Sequence, residues 1–127
     1  MNPGVLILGG SSAGRQAALD LAEAGIEVLL TEISPFIGDD PVCKPLHSIS
    51  CAHALATAKH PRIHLLTRTA IKSAKKTSDA FKVRLEMRPR FVDLNRCTSC
   101  ADCLEVCPVK VPGENHQAIY LRDGHQP

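Results

Sequence analysis

The feature that most constrains this chain is a run of four cysteines, Cys97, Cys100, Cys103 and Cys107, followed at once by Pro108. The spacing C-x-x-C-x-x-C-x-x-x-C-P is that of a bacterial ferredoxin-type [4Fe–4S] ligand run. Three thiolates on one tight loop reach three corners of a cubane, and the C-x-x-x-C step with its proline starts a short helix. Structural zinc, which uses two separated Cys/His pairs, and incidental cysteines are the other readings of the run. In two-cluster ferredoxins the fourth cysteine of such a run serves the other cluster, and this chain has no second run. A cluster on Cys97, Cys100 and Cys103 therefore needs a fourth ligand from Cys107, Cys43, Cys51 or a partner's cysteine.

The chain has 127 residues, about one small domain with one modest core. A net charge of +2 gives no strong bias towards nucleic acid or membrane surfaces. Aromatic residues make up 3%, too few for a base-stacking platform. Apolar runs are short and flanked by glycine, so no membrane span is expected. The start, Met1 to Val5, lacks the basic segment of a secretory signal. Six cysteines without such a signal read as metal or redox ligands rather than disulfides, in a reducing cytoplasm.

Upstream of the cysteines the chain opens as a βαβ unit. Val5-Leu6-Ile7-Leu8 is a continuous apolar run of the kind a fully buried parallel strand shows. It leads into Gly9-Gly10-Ser11-Ser12-Ala13-Gly14 and a helix predicted over 12–24, with Ala13, Ala17, Leu21 and Ala24 on one face. Gly25 stands where a helix C-terminal glycine belongs, and Val28-Leu29-Leu30-Thr31 is a second buried strand ending at Glu32. In a dinucleotide fingerprint Gly9 would allow the tight turn and Gly14 the close packing of helix on strand. The helix N-terminus near Ser12 would point N–H groups at a pyrophosphate. Glu32 lies 23 positions after Gly9, about where an acid takes the ribose hydroxyls. Ser11 occupies the middle glycine position, where a Cβ crowds the pyrophosphate. A purely structural βαβ turn is the alternative reading.

Residues 34–45 read as loop, and Ser50 to Lys59 as an alanine-rich helix ending before Pro61. Cys43 in that loop and Cys51 at the helix start read equally as cluster or redox thiols and as plain loop or core residues. His47 and His53 flank them, and surface histidines are common near helix starts. Ile63 to Thr67 reads as a short strand. Phe81 to Arg88 alternates apolar and charged residues, and with Ala70 to Ala74 it predicts an antiparallel hairpin turning at Thr77-Ser78-Asp79. Eight Lys/Arg and two acids lie from Arg68 to Arg90, the pattern of a solvated outer sheet face, with a docking patch for an acidic partner as the alternative reading. Beyond the cysteines, Val111-Pro112-Gly113 turns, and Ala118 to Leu121 reads as the closing strand of a half ferredoxin.

Taken together, these stretches resemble the N-terminal part of the iron–sulfur flavoprotein known as the A subunit of heterodisulfide reductase, and its relatives. The resemblance lies in Val5–Gly14, Gln16–Gly25, Glu32–Gly38, His60–Ile63, Phe81–Val83, Arg88–Asp93, the cysteine run and Ala118–Tyr120, nearly the whole chain. It implies an α/β fold: a partial FAD/NAD-binding Rossmann-like βαβ domain over 1–90, with an antiparallel β segment. An inserted ferredoxin-type [4Fe–4S] domain would follow over 91–121, then a loose tail over 122–127. By the same resemblance Gly9, Gly10, Gly14 and Glu32, in the loop that includes Ser11, Ser12 and Ala13, would hold the adenine dinucleotide of FAD. Cys97, Cys100 and Cys103 would hold one cluster, and Cys107 would contribute to a neighbour.

The implied activity is electron transfer between flavin, cluster and other subunits of a redox complex, heterodisulfide reductase-like or hydrogenase-like. Three departures stand out, the first being that the family protein is several times longer, with a second ferredoxin run, the rest of the flavin domain and later catalytic parts that this sequence lacks. Ser11 replaces a glycine usual in the family, and seven residues separate Cys43 from Cys51, which are close together in the family. No acid–base pair stands out, as expected where cofactors carry the chemistry. The alternatives are an iron–sulfur carrier or adaptor with an empty dinucleotide loop, and a truncated fragment of a longer subunit.

Overall fold

The computed structural model describes residues 4–37, 47–89, 92–93, 96–98, 100–113 and 116–120. The chain divides into two units, Met1–Pro89 and Arg90–Pro127. The first contains β1 (Val5–Leu8), α1 (Ser12–Glu23), β2 (Val28–Thr31), α2 (His47–Lys59), β3 (Ile63–Leu66), β4 (Thr69–Lys76) and β5 (Phe81–Met87).

Three short apolar strands form a parallel sheet in the order β1-β2-β3. The register aligns Ile7, Leu30 and Leu65 in one cross-strand row and Val5, Val28 and Ile63 in another. Because side chains alternate along a strand, both rows lie on the same face. Ala18, Leu19 and Ala22 of α1 pack on that face with Val28, Leu30 and Ile63, and Ile7, Leu21 and Leu65 close the margins. All four residues of β2 are buried, as the sequence predicts for a central strand. The expectation of full burial fails for β1, whose residues are half-buried up to Leu8, 58% exposed. A sheet edge covers a strand on one side only, whatever its composition.

Helix α1 starts where the sequence places it, but its inward stripe is Arg15, Ala18, Leu19 and Ala22. The expected residues Ala13, Ala17 and Ala24 are exposed, and Leu21 is only half-buried. An alanine-rich helix gives little hydrophobic contrast between neighbouring faces, so the sheet beneath decides which alanines turn in. Its C-terminus is legible in full. Gly25 has φ +89, its N–H bonds the Ala22 carbonyl, and the Ile26 N–H bonds the Leu21 carbonyl. This is the Schellman arrangement that favours glycine at that position. Arg62 adds a 2.6 Å bond from Nη1 to the Gly25 carbonyl. Helix α2 begins three residues before the expected Ser50.

Strands β4 and β5 form the expected antiparallel hairpin, closed by the Thr77 N–H on the Ala80 carbonyl and bulged between Ile71 and Ser73. Its lysines and arginines are exposed, and Lys72 pairs with Glu86 at 3.0 Å. The alternating row ends in exposed Phe81 and Met87.

Among its described residues the second unit contains one short helix, α3 (Asp102–Glu105), inside the C-x-x-x-C step. Ala101 enters it in the left-handed region, φ 69. The expected closing strand is reduced to one antiparallel bridge, Lys110 with Gln117, and Leu121 lies outside the described residues. No apolar side chain of this unit is buried among the described residues, and Val106 and Val109 are exposed.

The core makes a specific claim about stability. Leu30→Ala should destabilise the fold by about 2–5 kcal/mol, whereas Phe81→Ala should stay within about 0.5 kcal/mol. Urea midpoints of the two variants check this; equal losses would refute the placement of the core.

Candidate functional site

The loops that leave β1, β2 and β3 all emerge at the carboxyl edge of the parallel sheet, where open α/β sheets bind their ligands. The first is the glycine loop. Gly9 has φ +95, a conformation that L side chains rarely adopt, and its N–H bonds the Thr31 carbonyl on β2. At Gly14 a Cβ would overlap the Gly9 carbonyl oxygen, so the first turn of α1 starts against the loop backbone. Gly10 is buried, and a Cβ there would come within 2.7 Å of Ile37 Cγ2 and 3.2 Å of a Glu32 carboxylate oxygen. Ser11, at the middle glycine position, is exposed at φ −62 and ψ 173, an extended backbone open to any residue. Its hydroxyl makes no cap bond to the helix.

The first helical bond of α1 runs from the Arg15 N–H to the Ser11 carbonyl. Earlier N–H groups of a helix have no carbonyl of their own to bond, so those of Ala13 and Gly14 are directed out of the helix start. The first turn holds no acidic side chain to compete for them. Such a terminus favours an anion through its N–H groups and the helix dipole.

Glu32 leaves β2 and turns its carboxylate back towards this loop. Oε2 accepts the Gly10 N–H at 2.6 Å and Oε1 accepts the Ser34 N–H at 2.9 Å. A carboxylate offers about four acceptor positions, so two hydrogen bonds orient it and leave capacity for hydroxyl donors. The third loop, after β3, lies against the second. The Thr69 N–H bonds the Glu32 carbonyl, and the Arg68 N–H bonds the Ser34 carbonyl at 3.1 Å. Arg68 itself has φ 53. Sequence reasoning assigned no role to Ile37 or Arg68. The available signal was position, since Arg68 follows the third apolar strand by two residues.

Gly9, Gly10, Gly14 and Glu32 thus come together, with Ser11, Ser12 and Ala13 at the helix start beside them. The cysteines form a separate set in the second unit. Cys97, Cys103 and Cys107 are half-buried, Cys100 is exposed, and none is in a disulfide. The Cys97 N–H bonds the Asp93 carbonyl, and Cys103 lies on α3. Among the described residues no three His, Cys, Asp or Glu side chains are already gathered at metal-binding distance. Cys43 lies outside the described residues; Cys51, His47 and His53 fall on α2.

Backbone hydrogen bonds from Ile119 first, then Val109, outweigh the opposing effect of burial and, with a weaker contribution from Ala118, hold the Cys107 thiol below its ordinary value of 9.0. Gln117 steadies the same turn by donating Nε2 to the Cys107 carbonyl at 3.0 Å. His116 and Tyr120 stack at 4.2 Å between ring centroids. The thiol also lies 3.8 Å from the Val109 carbonyl, which accepts the Ala118 N–H at 2.8 Å; a lowered pKa favours the thiolate, the form that ligates metal.

No family model matches the chain. Among curated proteins, the first of the heterodisulfide reductase iron–sulfur A subunits of Methanopyrus kandleri is 41% identical over 131 residues, which cover 92% of this chain and 20% of that protein. The corresponding A subunit of Methanocaldococcus jannaschii is 39% identical, with 91% of this chain and 20% of that protein covered. A protein of Archaeoglobus profundus named for its likeness to the same A subunit is 37% identical over 93% of this chain and 18% of that protein. The chain therefore spans about a fifth of the length of the curated relatives it matches.

Among solved structures, p-nitrophenol 4-monooxygenase PnpA from Pseudomonas putida shares the fold at TM-score 0.55 and 12% identity, covering 65% of this chain and 36% of that one. An oxidoreductase from Agrobacterium tumefaciens matches at TM-score 0.51 and 28% identity, covering 68% of this chain and 32% of that one.

Two outcomes are expected from the geometry. Gly14→Ala should cost about 3 kcal/mol because the Gly9 carbonyl must move, while Ser11→Gly should change stability by a few tenths, its hydroxyl capping nothing. Thermal unfolding of both variants reads the contrast. In iron-free protein, alkylation of Cys107 followed against pH should have its midpoint below 9.0. The hydrogen bonds to the thiolate contribute stability above the unfolded thiol's pKa, and this is lost as pH falls through the lower folded value. A midpoint at or above the ordinary value would refute the lowering.

Proposed function

We propose that this chain, related in sequence to the N-terminal part of the heterodisulfide reductase A subunit, is an electron-transfer oxidoreductase module. It binds FAD at the carboxyl edge of its parallel sheet and a [4Fe–4S] cluster through its cysteine run. The observation that carries this reading is the Glu32 carboxylate, oriented by the Gly10 and Ser34 N–H groups beside the α1 N-terminus. An acid held at the end of β2 next to a glycine turn and a helix start is the arrangement that takes ribose hydroxyls and a pyrophosphate. Residues 1–90 form a partial dinucleotide-binding domain in this reading, residues 91–121 a ferredoxin-type domain, and 122–127 a tail.

The residues present fit both groups. At the flavin site, Glu32 accepts from the ribose, Ala13 and Gly14 donate to the pyrophosphate, and Gly10 makes room for the Ile37 and Glu32 side chains. Ser11 is exposed beside them. At the cluster, Cys97, Cys100 and Cys103 supply three thiolates, and Cys107, favoured as a thiolate by its lowered pKa, closes the set or serves a neighbouring cluster. The second unit supports this by what it lacks. A unit this small with no buried apolar side chain among its described residues needs a covalent or metal staple to hold one shape.

When bound, flavin exchanges electrons in ones or twos and the cluster passes them singly; the protein sets position and electrostatics. The partner is another subunit or segment of a redox complex. The uncovered edge of β1, with Leu8 exposed, supports an assembly larger than this chain. No helix of the described residues is long and apolar enough to cross a membrane.

Anaerobic purification with iron and flavin analysis tests the reading. About four irons and one flavin per chain are expected. Serine at Cys97, Cys100 or Cys103 should remove iron and spare flavin, and Glu32→Gln should weaken flavin and spare iron. Iron without flavin would reduce the reading to a carrier with an empty loop. A colourless protein with one zinc would overturn it entirely.

A further inference from the structure

We infer that Arg68 is a ligand-contacting residue of the same carboxyl edge, donating from its guanidinium to the adenosine half of the dinucleotide. The inference rests on the dinucleotide reading above and adds to it a side chain outside the glycine loop and Glu32. Three observations converge on it. The first is connectivity: the Arg68 N–H bonds the Ser34 carbonyl, and the Ser34 N–H bonds the Glu32 carboxylate. Arg68 is therefore two hydrogen bonds from the group that receives the ribose. The flanking Thr69 N–H is anchored on the Glu32 carbonyl itself, and Thr69 is buried, its Oγ1 on the Thr67 carbonyl at 2.9 Å.

The second observation is backbone strain. Arg68 adopts φ 53, one of two non-glycine residues with positive φ among those described. The left-handed region is unfavourable for a side chain with a Cβ and persists where surrounding contacts impose it. Here the Ser34 carbonyl holds the Arg68 N–H on one side, and the Arg88 N–H holds the Arg68 carbonyl at 2.8 Å on the other. A glycine would satisfy this turn without strain, so the turn by itself does not call for arginine.

The third observation is the guanidinium. Arg68 Nε is buried and has no hydrogen-bond partner among the described residues. A buried donor left unmade is unfavourable and is uncommon in native proteins. An acceptor arriving with the ligand removes that penalty, and adenosine brings ring nitrogens and ribose oxygens to this edge. Nothing in the turn's own geometry uses the donor, so a role in binding accounts for what a role in folding leaves over.

The two roles separate experimentally because they push one variant in opposite directions. Arg68→Gly relaxes the left-handed backbone and removes the donor. Titration calorimetry of the full chain with ADP, alongside thermal unfolding, is the measurement. Arg68→Gly should melt no lower than the unaltered protein and bind ADP about tenfold more weakly, the loss of one charge-assisted hydrogen bond. If Arg68→Gly binds ADP as well as the unaltered protein while Glu32→Gln binds it more weakly, Arg68 is a turn residue only. The dinucleotide reading then stands without it. If the unaltered protein does not bind ADP at all, the dinucleotide reading falls and the inference falls with it.

Discussion

The Glu32 carboxylate strengthens the link between the loops after β1 and β2, which also meet through the Gly9 N–H on the Thr31 carbonyl. Its bond to the Gly10 N–H spans 22 positions in sequence and ties the turn after β1 to the turn after β2. Its second bond, to Ser34, fixes the turn whose carbonyl in turn holds Arg68 after β3. Charge-assisted bonds of this kind are about twice as strong as neutral ones. The glycines make the arrangement possible, because a side chain at Gly10 would meet Ile37 and one at Gly14 would meet the Gly9 carbonyl. The Glu32 carboxylate thus lies beside the start of α1, held to the loops after β1 and β2.

The two units rest on different physics. The first has an apolar core of small area, in which β2 is covered on both sides and β1 is not. The second has hydrogen bonds and one helical turn but no buried apolar side chain among its described residues. For such a unit the proposed cluster would serve structure as well as electron transfer. A cluster would cross-link the loop at three or four points and supply the order that a core of this length cannot. The Cys107 thiol is held below its ordinary pKa by neighbouring backbone groups, Ile119 foremost.

The relation to the A subunit of heterodisulfide reductase covers nine-tenths of this chain but a fifth of its relatives. That disproportion agrees with the exposed edge of β1 and with the apolar ends of the β4–β5 hairpin, Phe81 and Met87. An apolar strand run such as Val5–Leu8 is composed for burial on both faces. Here it stands at the edge of the three-stranded sheet and is half-buried up to Leu8.

Local chemistry was legible in the sequence wherever a residue type answers to one constraint. Gly9, Gly14 and Gly25 marked a turn, a close contact and a helix end, and each stands where its missing Cβ is needed. The alternation from Phe81 to Met87 marked a strand, and the hairpin bears it out. Tertiary structure decided what depends on partners distant in sequence. It chose Arg15, Ala18, Leu19 and Ala22 as the inward face of α1, since alanines on either side differ little until a sheet lies beneath them. It put Gly10 rather than Ser11 at the tight spot, because the obstacle is Ile37, 27 positions away. It also brought Arg68 to the Glu32 edge through Ser34, a contact that no periodicity or spacing encodes, because it exists only once three strands lie side by side.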